Sequence, residues 1–361
     1  MGHTTHSRRS LATATAIAAL HVVACGEGRA AASLERRAGP TTDSAAATPS
    51  SFAAEPVWRR GVCDGSAGVA LDGGWLVVAN DESNILFVYR SDTGSVPVER
   101  VRLSAVLGIG RPNREADIEG ATAVGDTTYW ITSHANGKDG APQPDRHRLF
   151  ATVAQRSGAT ATVRPAGRAY SQLVSALLAD TTLARYDIAT ASRRSPDERG
   201  GLNIEGLAAT PDGRLLIGFR SPVPEGRALL VSIDNPADVV FRDRAPRLGR
   251  ATTLPLDGRG IRSIEYVPAM RGYAIVAGEG GGRRGVALYR WSGAPTDAPR
   301  PVEGVSFDGL TPEAIVVERE HPERLLILSD DSGRRLGGRE CKDVNDDRKF
   351  FRSITVPVPA P

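Results

Sequence analysis

Charged side chains recur at one position of a repeated strand pair, and they are the residues of this sequence best suited to chemistry. In four of five such pairs the first strand carries a charged residue near its start, and the second strand ends in polar residues. The matched sets are Glu119 with His134, Glu205 with Arg220, Arg262 with Glu279, and Glu313 with Asp330 and Asp331. Because the strands of a hairpin run antiparallel, the start of one lies beside the end of the other. Each set is therefore predicted to form one cluster of candidate ligand-binding residues.

Two kinds of binding chemistry suit these clusters. Ca²⁺ takes about six to eight oxygen ligands, and Asp81, Asp330 and Asp331 are the candidate metal ligands. The guanidinium groups of Arg220 and Arg262 have the geometry to bind a phosphate or a carboxylate with paired hydrogen bonds. The alternative interpretation is architectural, since repeated positions in repeat proteins commonly join one repeat to the next through ion pairs.

The repeat itself predicts the fold that must position these residues. Each repeat has a short apolar strand, a turn containing Gly or Asp, and a second apolar strand. The matched positions are Ala67, Glu119, Glu205, Arg262 and Glu313, at intervals of 52, 86, 57 and 51 residues. Apart from the second, these intervals have the length of a four-stranded propeller blade. We predict an all-β β-propeller of five blades, with the charged clusters converging on one mouth of its central channel.

The longest interval contains a different pattern. Between positions 170 and 186, Leu173, Val174, Leu177 and Leu178 recur at helical spacing. This spacing predicts a short helical insertion. A degenerate sixth blade is the alternative.

The N-terminal residues predict export. Arg8 and Arg9 precede an apolar run that ends at Val22-Val23-Ala24-Cys25, a lipobox-like sequence. Residues 1–24 are predicted to be a signal peptide and Cys25 the lipidated first mature residue, although an ordinary cleaved signal is the alternative. Residues 25–54 have the composition of a disordered tether, and residues 55–361 form the propeller domain. The expected location is the cell envelope, with a lipid anchor as the only membrane contact.

Two cysteines remain in the predicted mature domain, Cys63 and Cys341. They lie at its two ends and in an oxidising compartment, where disulfides form. A disulfide would lock the seam at which 57–62 or 350–358 closes the ring. Two buried free thiols are the alternative.

Charge and motifs exclude several classes of function. The formal net charge is +3 at pH 7, and two of the arginines lie in the predicted leader, so no electrostatic feature favours nucleic acid. The sequence has neither Gly-x-Ser-x-Gly nor His-Glu-x-x-His. The histidines after the leader, His134, His147 and His321, are too widely spaced to favour zinc or a Ser-His triad. Whether the protein is an enzyme stays open, and no cofactor is required, with Ca²⁺ as an optional ligand.

Several motifs resemble the bacterial domain-of-unknown-function family 3616. They are Asp117-Ile118-Glu119-Gly120, Ser133-His134, Arg146-His147-Arg148-Leu149-Phe150, Gly201-Leu202-Asn203-Ile204-Glu205-Gly206-Leu207, Arg220-Ser221-Pro222, Cys341-Lys342-Asp343 and Phe351-Arg352-Ser353. The family implies an uncharacterised propeller-like domain over most of the chain. More remotely, the Ile-Glu-Gly strands are similar to phytase-like and esterase-like propellers, which implies a carboxylate-rich mouth for calcium and phosphate. This chain departs from that pattern, since Ala67 and Arg262 occupy two of the ring positions.

Two functions are compatible with these features. The first is a binding module whose charged channel mouth recognises a small anionic ligand, a glycan or a partner protein. The second is a calcium-assisted hydrolase, either a phytase-like phosphoesterase or an esterase. In it metal-bound water would attack while Arg220 and Arg262 stabilise developing charge.

Overall fold

The computed structural model describes residues 55–92, 96–111, 114–157, 160–198, 200–279 and 285–359. These residues belong to one unit, Pro49–Pro361. The predicted signal peptide, the lipidation site at Cys25 and the predicted tether lie outside the described residues.

The described chain forms five four-stranded antiparallel sheets, which are the blades of a propeller. The first strand, β1, is Val57–Arg60. Blade 1 is β2 (Ala67–Leu71), β3 (Trp75–Ala79), β4 (Ile85–Arg90) and β5 (Glu99–Arg102). Blade 2 is β6 (Ile118–Val124), β7 (Thr127–Thr132), β8 (Leu149–Ser157) and β9 (Thr160–Tyr170). Blade 3 is β10 (Asn203–Ala209), β11 (Leu215–Ser221), β12 (Ala228–Ile233) and β13 (Thr252–Leu254).

Blade 4 is β14 (Gly260–Val267), β15 (Gly272–Gly278), β16 (Ala287–Trp291) and β17 (Arg300–Pro301). The chain continues through β18 (Pro312–Val317), β19 (Arg324–Ser329), a small hairpin of β20 (Arg335–Leu336) and β21 (Arg339–Glu340), and β22 (Phe350–Pro357). The first strands of the blades contact one another in a closed cycle, from β2 through β6, β10, β14 and β18 back to β2. They therefore surround the central axis, as predicted.

Blade 5 contains strands from both ends of the described chain. Its strand order is β18, β19, β22 and β1, with Val57 opposite Ser353 and Arg60 opposite Phe350. The buried Arg59 guanidinium donates to the Ser353 hydroxyl at 3.1 Å and to the main-chain oxygen of Ser91 at 2.9 Å. The predicted ring closure is thus confirmed, and both candidate strands take part.

The strands are apolar on both faces because each blade is packed between two others. In β3, Leu76 and Val78 contact the core shared with blade 5, whereas Trp75, Val77 and Ala79 contact the core shared with blade 2. Equivalent cores lie between the other neighbouring blades. Two-sided burial explains why these strands read as short continuous apolar runs in the sequence.

The predicted insertion is helical, and the described strands form no sixth blade. It contains α2 (Leu173–Ala179), a 3₁₀ turn (Thr181–Tyr186) and α3 (Ile188–Ala191). Leu173 and Leu177 bury their side chains between blades 2 and 3, whereas Leu178 is exposed. The other helices are α1 (Ser104–Leu107) and α4 (Pro236–Arg242), with 3₁₀ turns at Pro144–Arg146, Pro224–Gly226, Pro268–Met270 and Cys341–Asp343. No helix in the described ranges has the length and apolar character needed to cross a membrane.

Cys63 and Cys341 form a disulfide across 278 residues. Cys63 lies three residues after β1, and Cys341 lies in the segment between β21 and β22. The bond therefore joins the two chain ends that complete blade 5, as the sequence predicted. A disulfide of this kind indicates an oxidising compartment outside the cytosol.

Replacing both cysteines by serine is expected to lower the free energy of unfolding by about 3–5 kcal/mol, because the bond closes a very long loop in the unfolded chain. Urea denaturation of the oxidised protein and the double variant measures the difference. In the same experiment a maleimide should label neither Cys63 nor Cys341 of the unfolded protein before reduction. Labelling at both positions would contradict the disulfide.

Candidate functional site

The charged clusters lie on one face of the propeller, at the mouth of the channel. We call this the upper face, and it is where the innermost strands begin, at Ala67, Ile118, Asn203, Gly260 and Pro312. The opposite, lower face is where those strands end. All innermost strands have the same direction relative to the axis, so equivalent residues meet at one mouth.

Each repeated charged residue sits in a β-bulge. Where the first strand of a blade pairs with the second, one residue of the first strand has no partner. This occurs between Ile118 and Gly120, between Ile204 and Gly206, between Ile261 and Ser263, and between Pro312 and Ala314. The residues without a strand partner are Glu119, Glu205, Arg262 and Glu313. A bulge leaves its extra residue unpaired and changes the direction of its side chain. In blade 1, where Ala67 occupies the ring position, the pairing is regular.

The glycines of the two Ile-Glu-Gly motifs, Gly120 and Gly206, are required by the neighbouring blade. A Cβ atom on Gly120 would lie 2.9 Å from the main-chain oxygen of Glu205, and one on Gly206 would lie 2.8 Å from a methyl carbon of Ile261. Innermost strands of adjacent blades therefore approach too closely for a side chain at these positions. The Ile-Glu-Gly motif combines a bulged acid with this close contact.

Ion pairs link the ring residues of blades 3, 4 and 5. Arg262 contacts Glu313 of the next blade, and its Nε lies 3.6 Å from Glu205 Oε2 of the preceding blade. Glu205 also accepts hydrogen bonds from Arg220 and, at 3.0 Å, from Asn203. The nearby Glu205 carboxylate raises the pKa of Arg220. Burial raises the pKa of Glu313 to about 7, although Arg262 acts in the opposite direction. This half of the mouth fits the architectural interpretation.

The other half of the mouth is acidic. Asp64, Asp81 and Glu119 lie close enough to influence one another or the same neighbouring carboxylates. Burial is the main reason that the pKa of each is well above its usual value, and like charges add to it. Among the described residues no hydrogen bond reaches Asp64 Oδ1 or Asp81 Oδ1, and both atoms are buried. We call Asp64, Asp81 and Glu119 the acidic half of the mouth.

Asp117 lies beside the acidic half and has polar partners of its own. It accepts from the Ser133 hydroxyl and lies 3.1 Å from the Arg146 guanidinium, which also pairs with Glu115 at 2.7 Å. Asp117 has a positive φ of 62°. Its carboxylate is therefore compensated, unlike those of Asp64 and Asp81.

His134 occupies a different environment from the one predicted. In the described structure its hydrogen bond is from the ring Nδ1 to the Thr132 carbonyl, at 2.7 Å, and its ring stacks on His147. Burial lowers the pKa of His134 to about 3, so the imidazole is neutral. Glu119 instead has Glu205, Asp117, Glu313 and Asp81 as charged neighbours. The predicted Glu119–His134 pairing is not formed.

Two further predictions about individual residues need correction. Glu279 is exposed, because Arg262 turns across Gly278 towards blades 3 and 5 and pairs there. Asp331 is buried against Arg352, which donates to both of its oxygens, so it belongs to the packing of blade 5. Asp330 does lie near the mouth, where it raises the pKa of Glu313.

Sequence reasoning missed Asp64, Asp117 and Arg146 as site residues. Asp64 precedes β2 and pairs as an isolated bridge with Asp330, so it supplies blade 1 with the acid that Ala67 lacks. The sequence contained one indication of this role for Asp64. Asp64 follows Cys63, and the predicted ring closure had already placed Cys63 beside blade 5. In the described ranges no three His, Cys, Asp or Glu side chains converge closely enough to hold a metal ion.

The lower face carries a second feature of the channel, a cavity of about 270 Å³ lined by Glu265. Glu265 Oε1 accepts from the Thr122 hydroxyl and from the Tyr266 amide, both at 3.2 Å. Thr122 in turn accepts from the Ala209 amide at 2.9 Å, so this network joins blades 2, 3 and 4. Burial raises the pKa of Glu265 to about 8.

These features define the class of the molecule: a five-bladed β-propeller, closed by its two chain ends, with a charged upper mouth. The family described as protein of unknown function (DUF3616) matches residues 141–335, and the chain belongs to this family. That region contains the ring residues of blades 3 and 4 and the helical insertion.

Solved structures show more distant similarity. The PQQ-bound aldose sugar dehydrogenase of Streptomyces coelicolor is 13% identical over 84% of this chain and 99% of its own, with a TM-score of 0.41. Native arabinanase from Bacillus subtilis is 9% identical over 80% of this chain and 92% of its own, with a TM-score of 0.40. No curated protein matches the sequence significantly. Similarity this distant carries no information about activity.

Replacing Arg262 by Met should lower the free energy of unfolding by about 3–5 kcal/mol, because Glu205 and Glu313 would lose a shared counter-charge in a buried site. Glu279→Gln is the matched control and should change stability by less than about 0.5 kcal/mol, since that side chain is exposed. Denaturant unfolding at neutral pH measures both. Equal losses in the two variants would favour the Arg262–Glu279 pairing over the observed one.

The Glu265→Gln variant should differ from the parent protein in the pH dependence of its stability. Because the pKa of Glu265 is raised, the folded parent protein keeps a proton on this carboxyl group up to about pH 8. The unfolded chain releases the same proton near pH 4.5, the usual pKa of glutamate. The stability contributed by this proton is present at low pH and is lost as pH rises to about 8. The variant should therefore be more stable than the parent at pH 9, by on the order of 2 kcal/mol, and similar at pH 4. Thermal unfolding across this range measures the difference, and parallel pH profiles would contradict the prediction.

Proposed function

We propose that this protein is an exported ligand-binding module whose upper mouth binds a positively charged group at its acidic half. The observation that carries the proposal is the pair of buried oxygens, Asp64 Oδ1 and Asp81 Oδ1, that no described hydrogen-bond donor reaches. A buried carboxylate oxygen without a partner is unfavourable, and two neighbouring buried acids reduce this cost by taking up a proton. A bound cation would remove this unfavourable term.

The distribution of charge favours a cation over an anion. Arg220 and Arg262, the groups suited to an anion, are already engaged by Glu205 and Glu313. A small anion would have to displace these carboxylates and would also meet the acidic half. Anionic ligands therefore remain the less supported alternative, and they form a separate outcome of the experiment below.

Ca²⁺ is the first cation to test, because it prefers carboxylate oxygens and completes its coordination with water and main-chain carbonyls. Asp64 and Asp81 would supply the protein carboxylates, with Glu119 as a further carboxylate in the same half of the mouth. Since three such side chains do not converge in the described structure, water would fill several coordination positions. Binding in the millimolar range is expected of so incomplete a site.

The cell envelope is the proposed location. The lipobox-like sequence at Val22–Cys25 and the composition of residues 26–54 support a lipid-anchored module on a flexible tether. The disulfide supports an oxidising compartment. A calcium-assisted hydrolase is less well supported, since the arginines that would stabilise a transition state are held in ion pairs.

Addition of about 5 mM CaCl₂ should raise the melting temperature of the mature domain by a few degrees at pH 7.5, because a ligand specific to the folded state stabilises it. The shift should increase from pH 5 to pH 8, since protons compete for carboxylates whose pKa is raised. Differential scanning calorimetry against NaCl of equal ionic strength measures the effect. Phosphate and an alkyl diamine are added in parallel.

Asp81→Asn should abolish the calcium shift and raise the melting temperature without ligand, because it removes a like charge from a buried cluster. Glu303→Gln, at an exposed position, is the control and should keep the full shift. The proposal fails if neither calcium nor the diamine shifts the melting temperature. It also fails if phosphate stabilises the protein more than either cation, or if Asp81→Asn behaves like the control.

A further inference from the structure

A large groove lies on the lower face between blades 3 and 4, away from the upper mouth. Its volume is about 970 Å³, and its walls come from the hairpin turns and outer strands of these blades, together with Arg185 and Tyr186 of the helical insertion. It reaches the channel cavity, because Thr210 and Tyr266 line both.

Its charge is opposite to that of the acidic half. Arg185, Arg214, Arg250 and Arg271 all line it. Arg214 is held by Asp212 at 2.8 Å. In contrast, the side chains of Arg250 and Arg271 are exposed and form no hydrogen bond or ion pair within the described ranges. Two guanidinium groups are therefore available to a ligand.

A row of aromatic rings forms the second element of the groove. Tyr273 packs between Tyr266 and Trp291, with centroid distances of 5.3 Å on each side. The described residues provide no hydrogen bond to the hydroxyl of Tyr266 or of Tyr273, and both residues line the groove. Burial raises the pKa of Tyr273 to about 12, so its hydroxyl stays protonated and can donate.

Hydroxyl side chains from both blades complete the lining, among them Ser232, Thr252 and Thr296. A single guanidinium group can bind a carboxylate through two parallel hydrogen bonds, whereas tyrosine and threonine hydroxyls suit the hydroxyl groups of a sugar. The groove thus combines acid recognition with many neutral hydrogen-bonding groups along its length. A recessed groove of this kind fits a chain molecule better than the flat surface of a membrane.

We propose that the groove between blades 3 and 4 binds an acidic oligosaccharide, with Arg250 and Arg271 on its carboxylates and Tyr266 and Tyr273 on its hydroxyls. This site is independent of the cation site on the upper face, and neither proposal depends on the other.

The test is isothermal titration calorimetry of the mature domain with two carboxylated oligosaccharides of similar length, oligogalacturonate and oligomannuronate. At least one should bind, and raising NaCl from about 50 to about 300 mM should weaken it about tenfold, as expected of exposed charge contacts. The same oligomer with methyl-esterified carboxyls should bind at least tenfold more weakly.

Variants assign the binding to the groove. Arg250→Ala should weaken it about fivefold or more, and so should Arg271→Asn, in which asparagine tolerates the positive φ of 47° at that position. Tyr273→Phe should weaken it about threefold by removing the hydroxyl. Arg193→Ala, an exposed arginine outside the groove, is the matched control and should leave affinity unchanged.

Three results would overturn the proposal. They are binding to none of the oligomers, equal binding of acidic and neutral forms, and equal affinity in Arg250→Ala and Arg193→Ala. Binding to vesicles of anionic lipid without binding to any oligosaccharide would also overturn it.

Discussion

The close approach of the innermost strands around one axis is the constraint on which the rest of the structure depends. Gly120 and Gly206 allow adjacent blades to contact each other through their main chains. Side chains on these strands have little lateral space, so the polar residues are accommodated in β-bulges at the upper end of each strand. The close packing of the innermost strands therefore accounts both for the fold and for the position of the candidate site.

Burial at this mouth determines the chemistry of its two halves. In blades 3 to 5 the ring acids Glu205 and Glu313 are held by ion pairs with arginines, and these pairs also join the blades. In blades 1 and 2 the acids Asp64, Asp81 and Glu119 have no such partner, and their pKa values are raised. Buried ion pairs contribute little to net stability but strongly disfavour the loss of one partner. The paired half is consequently a structural element, and the unpaired half is the part with unused binding capacity.

Much of the fold could be predicted from local patterns. The blade interval and the helical spacing of Leu173 and Leu177 can be read directly from the order of residues in the chain. The disulfide partners, 278 residues apart, could be paired because Cys63 and Cys341 are the two cysteines of the predicted mature domain. Because the strands are buried on both faces, they can be recognised in the sequence as continuous apolar runs. Antiparallel pairing brings Glu205 to Arg220 within one hairpin. The Arg262–Glu279 and Glu119–His134 pairings failed for a related reason. Arg262 pairs with Glu205 and Glu313 of the neighbouring blades, and the His134 ring bonds to the Thr132 carbonyl. Both outcomes depend on contacts that the hairpin pattern does not contain.

By itself, the sequence determined the repeat, the number of strand pairs, the disulfide partners and the identity of most charged residues at the mouth. Only the tertiary structure decided which of those charges are compensated. Arg262 lies between Glu205 and Glu313 because three blades meet there, and Asp64 reaches the mouth because the N-terminal strand closes the last blade. The same holds for the groove on the lower face, whose arginines and tyrosines come from blades 3 and 4 and from the helical insertion. Charge compensation depends on distances between segments far apart in the chain, and those distances are set by how the blades pack.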